Sequence, residues 1–160
     1  MAEMTFEEGL ARAQAYCATA ERCSQEVCDM LARHNVGVEV RNKIVGRLVE
    51  DGFVDEQRYA RAFVHDKICF AKWGRRKIGM ALRQKRISDA AVSAALADMD
   101  MEEYMQVLRT VTESQYRKTS GADEYTRSMK TLRSVAARGF EPDLIMGFLK
   151  AQDLPEPDII

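Results

Sequence analysis

Apolar residues recur along this chain at three- and four-residue intervals, the period of helices packed by one face. Phe6, Leu10, Ala13 and Cys17 share a face of a first helical stretch, Phe6 to Ala20. Ser24 reads as the N-cap of a second, which carries Val27, Cys28 and Leu31 and stops near His34-Asn35-Val36-Gly37. A third, about Val38 to Glu50, carries Val40, Ile44, Val45 and Leu48 on its apolar face, before Asp51-Gly52 ends it. The rhythm then repeats. Asp55 caps Glu56 to Phe70, with Tyr59, Ala62, Phe63 and Cys69 inward; Gly74 breaks the chain; Arg75 to Lys85 follows around Ile78, Ala81 and Leu82; and Ser88 caps a helix with Val92, Ala95 and Leu96. A third round starts near Met101 with Tyr104, Leu108 and Val111. It crosses the polar loop Lys118-Thr119-Ser120-Gly121, continues from Asp123 to Ala137, turns at Gly139, and reopens at Pro142 with Leu144, Ile145, Phe148 and Leu149.

The expected architecture is therefore all-α: nine helices in three tandem three-helix repeats, 1–54, 55–100 and 101–152, with an acidic tail over 153–160. Register supports the repeat, since Ile87, Val92 and Leu96 recur as Phe140, Ile145 and Leu149, each 53 residues later. The first repeat fits less closely, because Val36 to Leu48 is three residues longer than Ile87 to Leu96. Units stacked in series would cover each other's apolar faces, so an elongated, curved array is expected.

Composition narrows the class. Of 160 residues 46% are hydrophobic, enough for a core and too many for a disordered chain. The three prolines (Pro142, Pro155, Pro157) all lie late, so nothing earlier forbids a helix. No run of about 18 apolar residues offers a membrane span, and the acidic N-terminus is not a signal sequence; a cytoplasmic protein without membrane contact is expected. Cys17, Cys23, Cys28 and Cys69 form no C-x2-C pair, and His34 and His65 are the only histidines. No metal site is expected on that spacing, and the thiols are expected to be buried and reduced. Nucleotide-loop, nucleophile-elbow and zinc-protease motifs are absent, so no catalytic residue and no cofactor is assigned.

Charge changes the picture most. The totals, 24 basic and 25 acidic side chains, taken alone argue against a nucleic-acid partner. Position reverses this. Lys67, Lys72, Arg75, Arg76, Lys77, Arg83, Lys85 and Arg86 follow one another without an acid between Lys67 and Ile87. Arg127, Lys130, Arg133 and Arg138 form a second acid-free run from Tyr125 to Phe140, whereas Ser88 to Glu103 holds only acids. On a helix turning about 100° per residue, Arg76 and Arg83 project together, away from Ile78, Ala81 and Leu82. Trp73 stands beside the cations, where it would stack on a base, fill a partner's pocket or merely staple the helix junction. The candidate binding residues are Lys67, Lys72, Trp73, Arg75, Arg76, Lys77, Arg83 and Arg86, with Arg127, Lys130 and Arg133. Such faces attract phosphate or an acidic protein without choosing between them.

The stretch from Phe53 to Val64, FVDEQRYARAFV, resembles the junction of the first two repeats in the RecX regulatory proteins. Upstream, Ser24-x-x-Val27 to Leu31 and Leu48-Val49-Glu50-Asp51-Gly52-Phe53 follow that family's first repeat. Downstream, Trp73-Gly74-Arg75-Arg76-Lys77-Ile78 and Leu82 follow its second, and Arg138-Gly139-Phe140 its third. One departure is Arg86, where many relatives carry glycine before the isoleucine; it adopts either ordinary dihedrals or a left-handed turn at some cost. The resemblance implies a curved rod of three-helix repeats without catalytic residues or cofactor. It implies a modulator, usually negative, of the RecA recombinase that binds the RecA–DNA filament, with possible contact to its single-stranded DNA. A monomer is expected. Two other classes fit the residues alone: a helical DNA-binding protein acting without recombinase, and a helical-repeat adaptor for an acidic protein. An enzyme fits least.

Overall fold

The computed structural model describes residues 3–150, so the acidic tail expected over 153–160 lies outside the described residues. Among the described residues the fold is all-helical: α1 (Phe6–Thr19), α2 (Ser24–Arg33), α3 (Val38–Glu50), α4 (Glu56–Asp66), α5 (Arg75–Gln84), α6 (Asp89–Ala97), α7 (Met101–Lys118), α8 (Glu124–Ala136) and α9 (Pro142–Lys150). A π-helical turn, Lys67–Ala71, continues α4.

The helix starts follow from local chemistry. Asp55, Ser88, Asp100 and Asp123 each accept from a backbone amide three residues on, at 2.7–3.2 Å. These bonds satisfy donors that the first helical turn leaves unpaired. Ser24 is the exception. It is already the first residue of α2, and Cys23 is the cap, because the Glu26 carboxylate accepts the Cys23 amide at 3.1 Å. Burial raises the Glu26 carboxyl, but the Cys23 amide bond and the Lys85 charge outweigh it and hold the group below its ordinary value.

The chain divides into two compact units. The first runs to Ala62 and adds Leu82–Ala95; the second holds Phe63–Ala81 and the chain from Leu96. In the first, α1, α2 and α3 pack pairwise around Ala13, Val27, Leu31, Ile44 and Leu48, all fully buried. Each large aliphatic residue among them contributes about 1.5–3 kcal/mol relative to exposure. In the second, α7 packs on α8, α9 and the π-turn, and Tyr104, Leu108, Val135, Phe140 and Ile145 are fully buried.

One turn occurs three times. Asn35 (φ 61°), Arg86 (φ 62°) and Gly139 (φ 99°) are left-handed, and each directly precedes a buried apolar residue: Val36, Ile87 and Phe140. The Val36 amide donates back to Leu31 at 3.0 Å and the Ile87 amide to Leu82 at 3.1 Å, the hydrogen-bond pattern of a Schellman helix end. Arg86 therefore takes the left-handed alternative, a conformation that costs a residue with a Cβ about 1–2 kcal/mol. The longer first repeat also has a local cause, since α3 has 13 residues where α6 and α9 have nine.

Candidate partner-binding surface

The first basic run is shaped by the π-turn. The Lys67 carbonyl accepts from the amides of both Lys72 and Trp73, the latter at 2.8 Å, and Lys72 is left-handed (φ 56°). The extra residue in this turn folds Trp73 back toward Lys67, and π-turns of this kind concentrate at functional sites. The Lys67 ammonium lies 4.6 Å from the Trp73 ring centroid and the Lys77 ammonium 4.4 Å. Lys67 also sits 5.4 Å from the Phe63 ring. Trp73 is half-buried. The ring joins the π-turn to α5 and positions two ammonium groups, each contact contributing about 0.5–1 kcal/mol. Lys72, Arg76 and Lys77 are exposed, and among the described residues none of these three, nor Lys67, has an acidic partner.

Arg75 behaves differently. Its guanidinium turns inward onto Glu141, at 2.6 and 3.2 Å to one oxygen, and sits 4.9 Å from the Tyr104 ring. Tyr104 donates to the other Glu141 oxygen at 2.6 Å and accepts the Arg75 amide at 3.2 Å. Burial and the Glu141 bond push the Tyr104 hydroxyl upward; burial also raises Glu141, but its bonds from Arg75 and Tyr104 outweigh this and hold it low. Arg75 is thus a packing cation.

In the first unit, Arg83 pairs with Asp89 at 3.1 Å and Lys85 with Glu26 at 3.4 Å, while Arg86 is exposed. Arg86 and Lys85 border a cavity of about 470 Å³ that Cys28 also lines. Cys28 is therefore half-buried at a cavity wall, not a core residue, and Cys23 is the one fully buried thiol of the four. In the second basic run, Arg127 lies over the Tyr116 ring at 3.9 Å and donates twice to the Tyr116 carbonyl. Lys130 donates to the Ser120 carbonyl, and Arg133 is exposed. Arg127 and Lys130 close the loop between α7 and α8.

Two features escaped the reading of the sequence. Phe70, on the π-turn, is 79% exposed, the largest value among the exposed hydrophobic residues. A helical period places it near the apolar side, and the π-turn shifts that phase. The second is His65-x3-Cys69, whose helical spacing sets the Cys69 sulfur 3.6 Å from His65 Nε2. A thiolate nucleophile is not what this pair provides. Burial and the Glu103 carboxylate, 2.6 Å away, push the Cys69 thiol up to about 11.

Residues 55–96 match the family model for the second three-helix domain of RecX. Over 146 residues the chain is 30% identical to the regulatory protein RecX of Lactobacillus delbrueckii subsp. bulgaricus, covering 89% of this chain and 52% of that one. Over 143 residues it is 26% identical to the regulatory protein RecX of Mycobacterium sp. strain JLS, covering 84% and 78%. The chain thus spans about half the length of the Lactobacillus relative. In fold it matches the crystal structure of RecX from Lactobacillus salivarius with a TM-score of 0.81 at 21% identity, over 92% of this chain and 96% of that one. A second crystal structure, of regulatory protein RecX, matches with a TM-score of 0.78 at 20% identity, over 91% and 73%. In sequence and in fold alike, this chain belongs to the RecX family of regulatory proteins.

Proposed function

We propose that the protein is a non-enzymatic regulator that binds the RecA–DNA filament and lowers its ATPase and strand-exchange activity. Membership of a family whose relatives are named regulatory proteins supports the regulatory role. The observation that carries the contact is the Lys67–Trp73–Lys77 stack, flanked by Lys72 and Arg76 without acidic partners among the described residues. Four cations held by one turn and one helix start suit a phosphate backbone or an acidic recombinase surface. Phe70 beside them supplies apolar area of the kind that anchors interfaces. Three tandem repeats (residues 1–54, 55–100 and 101–152) would spread further weak contacts over neighbouring recombinase subunits and add avidity. Binding lowers activity to the degree that the protein favours an inactive filament state over an active one.

The test is fluorescence anisotropy of the labelled protein with recombinase assembled on single-stranded DNA, with recombinase alone and with DNA alone. Tightest binding to the assembled filament is expected. Equal affinity for bare DNA would favour the recombinase-independent DNA-binding reading, and affinity for none of the three would favour the adaptor.

A further inference from the structure

The last turn of α4, the π-turn and the first turn of α7 bring together three side chains of different donor type, His65, Cys69 and Glu103. His65 Nε2, Cys69 Sγ and Glu103 Oε1 lie 3.6 Å (nitrogen to sulfur), 2.6 Å (sulfur to oxygen) and 3.9 Å (nitrogen to oxygen) apart. All three ligand atoms fall within 4.8 Å of one another. We propose that His65, Cys69 and Glu103 form a three-ligand site for a borderline divalent transition-metal ion, zinc in the first place, with its fourth position open to water.

The donor set is the first argument. One imidazole nitrogen, one sulfur and one carboxylate oxygen are the three ligand types that zinc takes, and three protein ligands with an open fourth position is a familiar zinc arrangement. Magnesium and calcium, which require oxygen ligands, are disfavoured by the same set. Geometry is the second. Zn–S of about 2.3 Å and Zn–N of about 2.0–2.1 Å put sulfur and nitrogen about 3.5 Å apart on a tetrahedral ion, close to the 3.6 Å observed. The short sulfur–oxygen distance is the thiol's hydrogen bond to Glu103. When the ion binds, the Cys69 proton leaves to solvent, the sulfur coordinates as thiolate, and sulfur and oxygen separate onto adjacent tetrahedral positions. Glu103 Oε1 closes on His65 by a few tenths of an ångström. Accessibility is the third argument: the His65 and Glu103 side chains are 63% and 43% exposed, so an ion reaches the site without the core opening. Asp66, with an oxygen 3.7 Å from His65 Nδ1, faces the far ring nitrogen, where a carboxylate orients a ligating imidazole.

The ion would link the end of α4 and its π-turn to α7, all within the second unit. The π-turn carries Lys67 and precedes Trp73; α7 carries Tyr104, next to Glu103. Coordination would therefore stiffen the turn that presents the basic cluster and replace a proton with a dication close to it.

The test uses the full chain, stripped of metal, against a chromophoric zinc indicator in competition, with cobalt(II) as a spectroscopic substitute. One equivalent of zinc per chain is expected, and a near-ultraviolet thiolate-to-cobalt band. His65→Ala, Cys69→Ser and Glu103→Gln should each weaken zinc binding about tenfold or more, and Cys69→Ser should abolish the band. Cys28→Ser and Cys17→Ser should change neither. The three ligand positions are at least partly exposed, and far-ultraviolet circular dichroism checks that each variant keeps its helices. Failure of the wild-type chain to compete for zinc, or parental affinity in any of the three ligand variants, would overturn the site.

Discussion

Gly74 and Gly139 meet backbone to backbone. The Gly74 amide donates to the Arg138 carbonyl at 2.9 Å, and the Gly139 carbonyl accepts the Arg76 amide at 3.0 Å. A Cβ on Gly74 would fall onto the Gly139–Phe140 backbone, and one on Gly139 would meet Lys77 Cβ at 2.5 Å. Trp73-Gly74-Arg75 and Arg138-Gly139-Phe140 are thus two halves of one contact, which fixes where α5 begins and with it the Lys77 side of the tryptophan stack.

Alanine at either glycine should therefore destabilise the second unit. Gly74→Ala forces two backbones apart, and Gly139→Ala adds a strained left-handed dihedral, for an expected loss of about 2–4 kcal/mol each. Gly46 and Gly147 are the controls, since a methyl group on either would meet nothing within 4 Å. Alanine there should stabilise by about 0.5–1 kcal/mol through helix propensity. Urea denaturation of the four variants reads the contrast.

Arg86→Gly should stabilise the chain by about 1 kcal/mol, because glycine occupies the left-handed turn before Ile87 without a Cβ penalty. A matched Arg86→Ala, which keeps the penalty and removes the charge, separates the conformational gain from the electrostatic one in the same denaturation assay.

The Tyr104–Glu141–Arg75 network predicts an acid limb in the stability profile. The folded-state carboxyl of Glu141 lies below its unfolded value, so its contribution is fully present above about pH 4.5 and fades as pH falls through the lower folded value. Glu26 behaves alike in the first unit. Glu141→Gln should flatten the acid limb seen in thermal melts between neutral and low pH. Tyr104→Phe should cost about 1–3 kcal/mol at neutral pH by leaving Glu141 and the Arg75 amide short of a partner.

Phe70 and Trp73 should separate contact from support. Phe70→Ala removes an exposed ring, so it should weaken filament binding with less than about 0.5 kcal/mol change in stability. Trp73→Ala should reduce both, because the ring holds Lys67 and Lys77 in place. Anisotropy titrations paired with melts give both quantities for each variant.

Much of the fold could be read from apolar spacing because most buried positions lie on a helix face of ordinary period, and the caps at Asp55 and Ser88 act within three residues. Reading failed where the period itself changes. The π-turn shifts the phase at Lys67–Ala71, which turns Phe70 outward and sets Cys69 beside Glu103. It also failed where one cation looks like another in a string of letters. Arg75, Arg76 and Lys77 are consecutive, yet only Arg75 has a half-buried carboxylate, 66 residues away, to turn toward. Ser24 and Cys23 differ by one residue, and the choice of cap rests on Glu26 reaching back to the Cys23 amide.

The central claim, that the basic π-turn cluster carries regulation of a recombinase filament, is met most directly by ATP hydrolysis of recombinase on single-stranded DNA, titrated with the wild-type chain and with Lys67→Glu/Arg76→Glu/Lys77→Glu. The account predicts that hydrolysis falls as the wild-type chain is added and that the triple variant, with its helices intact, loses most of that inhibition. Hydrolysis unchanged by the wild-type chain at several-fold excess over recombinase, or equal inhibition by the triple variant, would contradict it.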